Sequence, residues 1–251
     1  MKRIPLIAGN WKMHLTIGEA VSLAQEVAKS SQGLEDREVM IAPAATAIAA
    51  VAEAVAGSPV LVAGQNVAWE QQGAYTGEIS PLMLTDAGAT MAIIGHSERR
   101  HIFGEDNAMI NQRMIGALAF GITPVLCVGE TLDEREEGLT LKVLEIQVCE
   151  GLEGVSAEQV PQVVVAYEPV WAIGTGKTAS KEQAQEAHRF IRDVLGDLYK
   201  KKLAEQIRIL YGGSVKPENV DDLMAMPDID GALVGGAALQ SASFDRIIHF
   251  S

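Results

Sequence analysis

Cysteine is almost absent. Of 251 residues only Cys127 and Cys149 are thiols, too few for a disulfide framework and too far apart for a Cys-x-x-Cys metal or redox pair, which favours the reducing cytosol. Long apolar runs are missing as well: none approaches the ~18 residues needed to span a bilayer, and the opening MKRIPLIAGNWK lacks the apolar stretch and small-residue cleavage site of a secretory leader. Basic residues are in deficit, 20 against 33 acidic, for a formal charge of −13. That balance opposes binding to a nucleic-acid backbone, and a small anionic substrate would need local positive potential from Lys12, backbone N–H groups or helix N-termini. No Ser/Pro-rich linker, low-complexity block or abrupt composition shift divides the chain, so residues 1–251 read as one domain.

What recurs is a short β-rich run followed by a helix-length segment. Eight such runs start at Ile4, Val39, Val60, Thr90, Ile122, Val163, Ile207 and Gly231, among them VMIAP, VVVAY and GALVG. They are apolar at successive positions rather than alternating, as strands covered on both faces should be. The intervening stretches GEAVSLAQEVAKS, NAMINQRMIGALAF, LKVLEIQVCEGL and KEQAQEAHRFIRDVLGDL read as helices. Ser180 with Gln183 fits a capping box, and Ser80 followed by Pro81 fits a cap and first helical position. Eight strand–helix units predict an α/β fold, a closed (β/α)8 barrel. A doubly wound open sheet is the alternative, and no G-x-G-x-x-G fingerprint follows the first strand.

In a barrel, function collects at the carboxyl ends of the strands. Asn10 and Lys12 follow the first run, Gln65 ends the third, His96 and Glu98 follow the fourth, and Glu168 closes the sixth. Ser214 follows the seventh, while Gly235 and Gly236 close the eighth. Glu168 stands before the Gly-punctuated PVWAIGTGKTA, where a carboxylate desolvated by a movable cover becomes a stronger base. His96 opens HSERR, read as a short helical turn whose N-terminal field opposes an imidazolium. As a neutral ring it could donate to a carbonyl oxygen, while Lys12 could stabilise a developing oxyanion. Glu98 reads as the ion-pair partner of Lys12, and Arg99 as structural.

AIGTGK is not a Walker A motif, because Trp171 occupies the place of its first glycine. Its glycines could instead let Gly174 present an N–H to a phosphate, with Lys177 near a rear hinge. YGGS and VGG read as a different device, close backbone turns after late strands whose N–H groups are free to cradle an anion. The five histidines have no H-E-x-x-H spacing, so no metal is implied. Cys127 reads as packing within an apolar strand. The pattern points to an enzyme acting on a small phosphorylated carbonyl compound.

AGNWKM, GQNVAWEQQGAYTGEIS, IIGHSERR, PVLCVGETLDERE, VVVAYEPVWAIGTGKTA, ILYGGSVKPEN and GALVGGAAL, in that order, resemble the triosephosphate isomerase family over essentially the whole chain. The resemblance implies interconversion of dihydroxyacetone phosphate and D-glyceraldehyde 3-phosphate. Glu168 would be the carbon base, neutral His96 the shuttle between substrate oxygens, Asn10 and Lys12 the stabilisers of the enediolate, and Glu98 the group that orients Lys12. Phosphate would meet Gly174, Ser214, Gly235 and Gly236. Pro169, Val170 and Trp171 would form the first hinge of a closing lid, and Lys177, Thr178 and Ala179 the second. No redox cofactor or metal is implied. The Gln65 to Glu78 segment resembles the family's projecting interface loop, with Thr76 reaching toward a neighbouring subunit in a homodimer. An isomerase for another phosphosugar and a non-enzymatic phosphometabolite-binding barrel are the competing readings; the second leaves Lys12, His96 and Glu168 together without a need.

Overall fold

Successive side chains of a strand point to opposite faces, so a run that is apolar at every position needs cover on both sides. The computed structural model, which describes residues 3–173 and 178–251, supplies that cover by closing the sheet on itself and wrapping it in helices. The strands are β1 (Leu6–Asn10), β2 (Glu38–Ala42), β3 (Leu61–Gly64), β4 (Met91–Ile94), β5 (Thr123–Val128), β6 (Val164–Tyr167), β7 (Arg208–Tyr211) and β8 (Gly231–Val234). They pair in chain order and in parallel, and β8 returns to β1 with Leu6 opposite Gly231 and Gly9 opposite Val234. The chain is therefore a (β/α)8 barrel, not an open sheet.

Strand parity sorts the core. Leu6, Ala8, Met40, Ala42, Met91, Ile93, Val125, Cys127, Val164, Ala166, Leu210 and Leu233 fill the barrel interior. The residues between them, such as Ile7, Ile41, Ile94, Leu126, Val165 and Ile209, pack outward against the helices.

The coat consists of α1 (Ile17–Ser30), α2 (Ile48–Ala54), α3 (Pro81–Asp86), α4 (Ser97–His101), α5 (Asn107–Ala119), α6 (Leu132–Glu136), α7 (Thr140–Gly151), α8 (Lys181–Tyr199), α9 (Lys201–Ala204), α10 (Val220–Met224) and α11 (Ser241–Ile248). The two capping signals read from the sequence both form. Ser180 Oγ accepts from Gln183 N at 3.2 Å while Gln183 Oε1 accepts from Ser180 N at 3.0 Å, and Ser80 Oγ accepts from Met83 N at 3.2 Å ahead of Pro81. Each such cap satisfies helix N–H groups that have no partner in the helix, worth about 1 kcal/mol. At the amino end of the barrel Arg192 on α8 pairs with Asp228 at 2.7 Å and with Asp230 at 2.6 Å, tying α8 to the entry of β8. Among the described residues no helix is long and apolar enough to cross a membrane.

Candidate active site

The parity that buries Leu6 and Ala8 carries on past the strand end. Asn10 is the next inward position of β1, Gln65 follows inward-facing Ala63, and Glu168 follows inward-facing Ala166, so polar side chains from distant segments meet at one mouth. Two adjoining cavities open there, of ≈ 400 Å³ and ≈ 330 Å³, sharing Asn10, Lys12 and His96.

Lys12 is held in a conformation that most residues avoid. Its φ is 52°, in the left-handed region, at a cost of about 1–3 kcal/mol for a residue with a side chain. Its N–H donates to Asn10 Oδ1 at 3.0 Å, and its carbonyl accepts from Gln65 Nε2 at 2.7 Å. Gln65 Nε2 also donates to the carbonyl of Ala42 at 2.9 Å. These bonds bracket the strained residue and fix where its side chain begins. Its ammonium ends 2.7 Å from Glu98 Oε1.

His96 is the N-cap of α4, and its Nδ1 accepts from Glu98 N at 3.2 Å. An accepting Nδ1 has no proton, so the ring is held as the neutral tautomer with its hydrogen on Nε2. That hydrogen is directed to Glu168 Oε1, 3.0 Å away, while Glu168 Oε2 accepts from Ser97 N at 2.9 Å. Glu168 is only 2% exposed. Burial pushes its pKa up, but the adjacent His96 and the hydrogen bonds from His96 and Ser97 outweigh burial and hold it below the usual carboxylate value. For His96 burial works downward and the Glu168 carboxylate upward, leaving the pKa above the usual histidine value. The helix N-terminus visible in the sequence disfavours the imidazolium. The Glu168 carboxylate, whose approach to His96 only the fold reveals, acts in the opposite sense.

Missing side chains make room for Glu168. A Cβ on Gly129 would lie 1.7 Å from the Glu168 carbonyl oxygen, and one on Gly212 would lie 2.8 Å from Glu168 Cγ. The ends of β5, β6 and β7 can thus approach closely enough to confine the carboxylate. Cys127, inside the barrel below it, has its thiol pushed well up by burial, as suits a packing residue and not a nucleophile.

The larger cavity continues from Lys12 to Ser214, Gly235 and Gly236. A short 3-10 turn, Gly236–Leu239, begins there, and a Cβ on Gly235 would stand 3.5 Å from Lys12 Cε. Backbone N–H groups and an ammonium therefore border the same space, an arrangement suited to an anion. Gly174 and Lys177, two further residues of the expected set, lie outside the described residues.

Pro169, Val170 and Trp171 are anchored to the loop after β5 through fully buried Glu130, which accepts from Trp171 Nε1 at 2.8 Å, from Tyr167 Oη at 3.1 Å and from Arg135 Nη1 at 3.1 Å. The Arg135 guanidinium also sits over the Trp171 ring at 4.6 Å. Of the second hinge, Thr178 is exposed and Ala179 buried. Thr76 is exposed in the Gln65 to Glu78 loop, beside the edge-to-face pair Trp69 and Tyr75. Arg99 pairs with Glu105 at 2.7 Å and takes a structural position at the edge of the smaller cavity.

Three contributors escaped sequence reasoning: the Ser97 N–H, the space above Gly129, and Glu130. The first two are backbone features with no side-chain signature. Glu130 stands in PVLCVGETLDERE, and an acidic residue directly after a buried strand was the available signal. Among the described residues no group of three or more His, Cys, Asp or Glu side chains could hold a metal ion.

A family model described as "Triosephosphate isomerase" matches residues 5–251. The chain is 54% identical over 249 residues to a protein of that name from Citrifermentans bemidjiense, covering 99% of each chain. It is 53% identical over 248 residues to one from Chloroflexus aurantiacus, again covering 99% of each. With one from Syntrophotalea carbinolica it shares 53% over 248 residues, 99% of this chain and 98% of the other.

Proposed function

This chain belongs to the triosephosphate isomerase family, and from that membership we propose how its own residues carry out the reaction. The protein is an isomerase of glycolysis and gluconeogenesis that interconverts dihydroxyacetone phosphate and D-glyceraldehyde 3-phosphate. The observation that carries the residue assignment is the convergence of Glu168 from β6, His96 from the end of β4 and Lys12 from the end of β1 on one cavity.

Glu168 removes a proton from C1 of dihydroxyacetone phosphate, and the electron pair of the broken C–H bond moves to the C2 carbonyl oxygen. The resulting enediolate bears its charge where Lys12 and His96 Nε2–H can meet it, with Asn10 beside them. His96 then passes protons between O1 and O2, and protonated Glu168 returns its proton to C2. C1 is oxidised from alcohol to aldehyde as C2 is reduced from ketone to alcohol, so the molecule's overall oxidation level is unchanged and no external oxidant or reductant takes part. In the free protein the bonds from His96 and Ser97 keep Glu168 a weak base. A substrate oxygen that takes over the His96 hydrogen releases one of them, and exclusion of water raises basicity further. Glu98 orients Lys12. Ser214, Gly235, Gly236 and Gly174 receive the phosphate, and the hinges Pro169–Trp171 and 177–179 move the lid.

The acting form is a homodimer. Met13 is 93% exposed and Phe103 67%, with Ile102 and Met83 also exposed, and Met13 and Phe103 border the cavity beside Lys12. The Gln65 to Glu78 loop of a second copy fits there, bringing Thr76 toward the site. We assign the protein to the cytoplasm, where the unpaired Cys127 and Cys149 remain reduced. Residues 1–251 act as one catalytic domain.

The test is interconversion of the two triose phosphates in chelator-treated buffer by purified protein beside Glu168→Gln. Turnover in the wild type, lost by at least about 10³-fold in a folded Glu168→Gln protein, is expected. Near-normal turnover by the variant would remove Glu168 as the base.

A further inference from the structure

The substrate is a phosphate dianion near neutral pH, and the protein that must attract it carries a formal charge of −13. Its cavity is poorly equipped to reverse that sign. Lys12 is neutralised by Glu98 at 2.7 Å, and Glu168 contributes a further carboxylate. Without another cation, the charges of Lys12, of Glu98 in the adjoining cavity and of Glu168 sum to a net negative charge.

Lys216 is that cation. It lines the same cavity as Ser214, Gly235 and Gly236, it is exposed at the rim, and among the described residues no ion pair occupies its ammonium. Its backbone is also fixed in place. Lys216 N donates to Asn219 Oδ1 at 2.8 Å, and Asn219 Nδ2 donates to the Ser214 carbonyl at 3.0 Å, so one short turn sets both the Ser214 backbone and the origin of the lysine. Glu218, the acidic residue of that turn, is exposed and unpaired with it.

We propose that Lys216 is a specificity-determining residue that draws the phosphate dianion into the mouth of the barrel and favours substrates with two negative charges over neutral or singly charged analogues. It is a positioning cation for encounter and takes no part in proton transfer. A low-dielectric cleft focuses the field of such a charge, and small ions screen it over a Debye length of about 30 Å at 0.01 M salt and about 8 Å at 0.15 M. The inference rests on assigning the phosphate to Ser214, Gly235 and Gly236.

The experiment compares full-length wild type, Lys216→Gln and Lys216→Arg at ionic strengths from about 0.01 M to about 0.3 M. The readouts are kcat and kcat/KM for D-glyceraldehyde 3-phosphate and calorimetric affinity for inorganic phosphate. One charge about 10 Å from a dianion predicts a loss of roughly threefold in kcat/KM for Lys216→Gln at low salt, falling on KM, fading toward wild type at high salt and restored by Arg. Phosphate affinity should fall in parallel. Unchanged kcat/KM with an unchanged salt slope overturns the proposal, as does a loss that persists at high salt and is not restored by Arg, which marks a structural residue. A wild type that binds phosphate without turnover overturns the isomerase reading instead, and the phosphate affinities then decide the role of Lys216.

Discussion

His188 has no part in the chemistry, yet its environment sets how the protein responds to acid. The ring is fully buried, edge-on to Tyr167 at 5.8 Å, with Nδ1 3.2 Å from the Asp228 carbonyl. Burial lowers its pKa from 6.5 to about 3, more than the nearby acceptor can offset. A histidine whose folded pKa is depressed stabilises the fold fully above the unfolded value and loses that contribution as the pH falls from 6.5 toward about 3, because only the unfolded chain takes up the proton. His96 is shifted upward, so its contribution is complete below 6.5 and declines at higher pH; depressed Glu168 and Asp228 act only near and below the usual carboxylate range. Between pH 6.5 and 5, then, urea unfolding should lose up to about 1.4 kcal/mol per pH unit from one group. His188→Gln should be less stable at pH 8 but flatter across that window. An unchanged slope in the variant would show that the acid sensitivity lies elsewhere.

At the scale of strands and loops, the fold was legible where one physical rule dominated. Continuous apolar runs imply strands covered on both faces, and parity then places Asn10, Gln65 and Glu168 inward without any tertiary information. Contacts made by backbone or across long separations carried no such rule. Ser97 N meets a carboxylate 71 positions away and Glu130 gathers donors 37 and 41 positions away; the sequence shows at most an acidic residue close after β5, not the partners either group meets. The glycines after β7 were readable as a turn, but neither they nor Gly129 after β5 were readable as space for the base. Two substitutions separate those meanings. Gly129→Ala sets a methyl against the backbone of Glu168 at 1.7 Å, so the ends of β5 and β6 must part, and both folding stability, by about 3 kcal/mol or more, and activity should fall. Gly212→Ala presses chiefly on Glu168 Cγ at 2.8 Å, with the Tyr167 carbonyl next at 3.1 Å. Its melting temperature should stay within a few degrees of wild type while kcat drops at least about tenfold, since a misplacement of ~1 Å at a reacting group can cost ~10²-fold. Wild-type kcat in Gly212→Ala would mean that the carboxylate has other room to move.

For the whole molecule the decisive tension is between charge and exposed apolar surface. Each chain carries a formal charge of −13, so two copies repel, yet Met13, Met83, Ile102 and Phe103 stand exposed, Met13 and Phe103 of them at the smaller cavity. Burial of one such side chain is worth about 1.5–3 kcal/mol, and two-fold symmetry applies it twice. In the homodimer proposed above, apolar contact should therefore win over screened long-range repulsion, and added salt should tighten association rather than loosen it. Met13→Glu reverses the balance, replacing a methionine with a carboxylate that would be buried without a partner in both subunits at once. Loss of apolar burial together with that charge should weaken association by about 6 kcal/mol or more, roughly 10⁴-fold in the dissociation constant. Sedimentation velocity at micromolar concentration should show a dimer for wild type and a folded monomer for Met13→Glu. Because Met13 follows Lys12 directly, the proposed homodimer also predicts that the monomer loses most of its kcat. A Met13→Glu protein that sediments as a dimer with wild-type turnover would place the subunit contact on another face and separate the geometry of Lys12 from assembly.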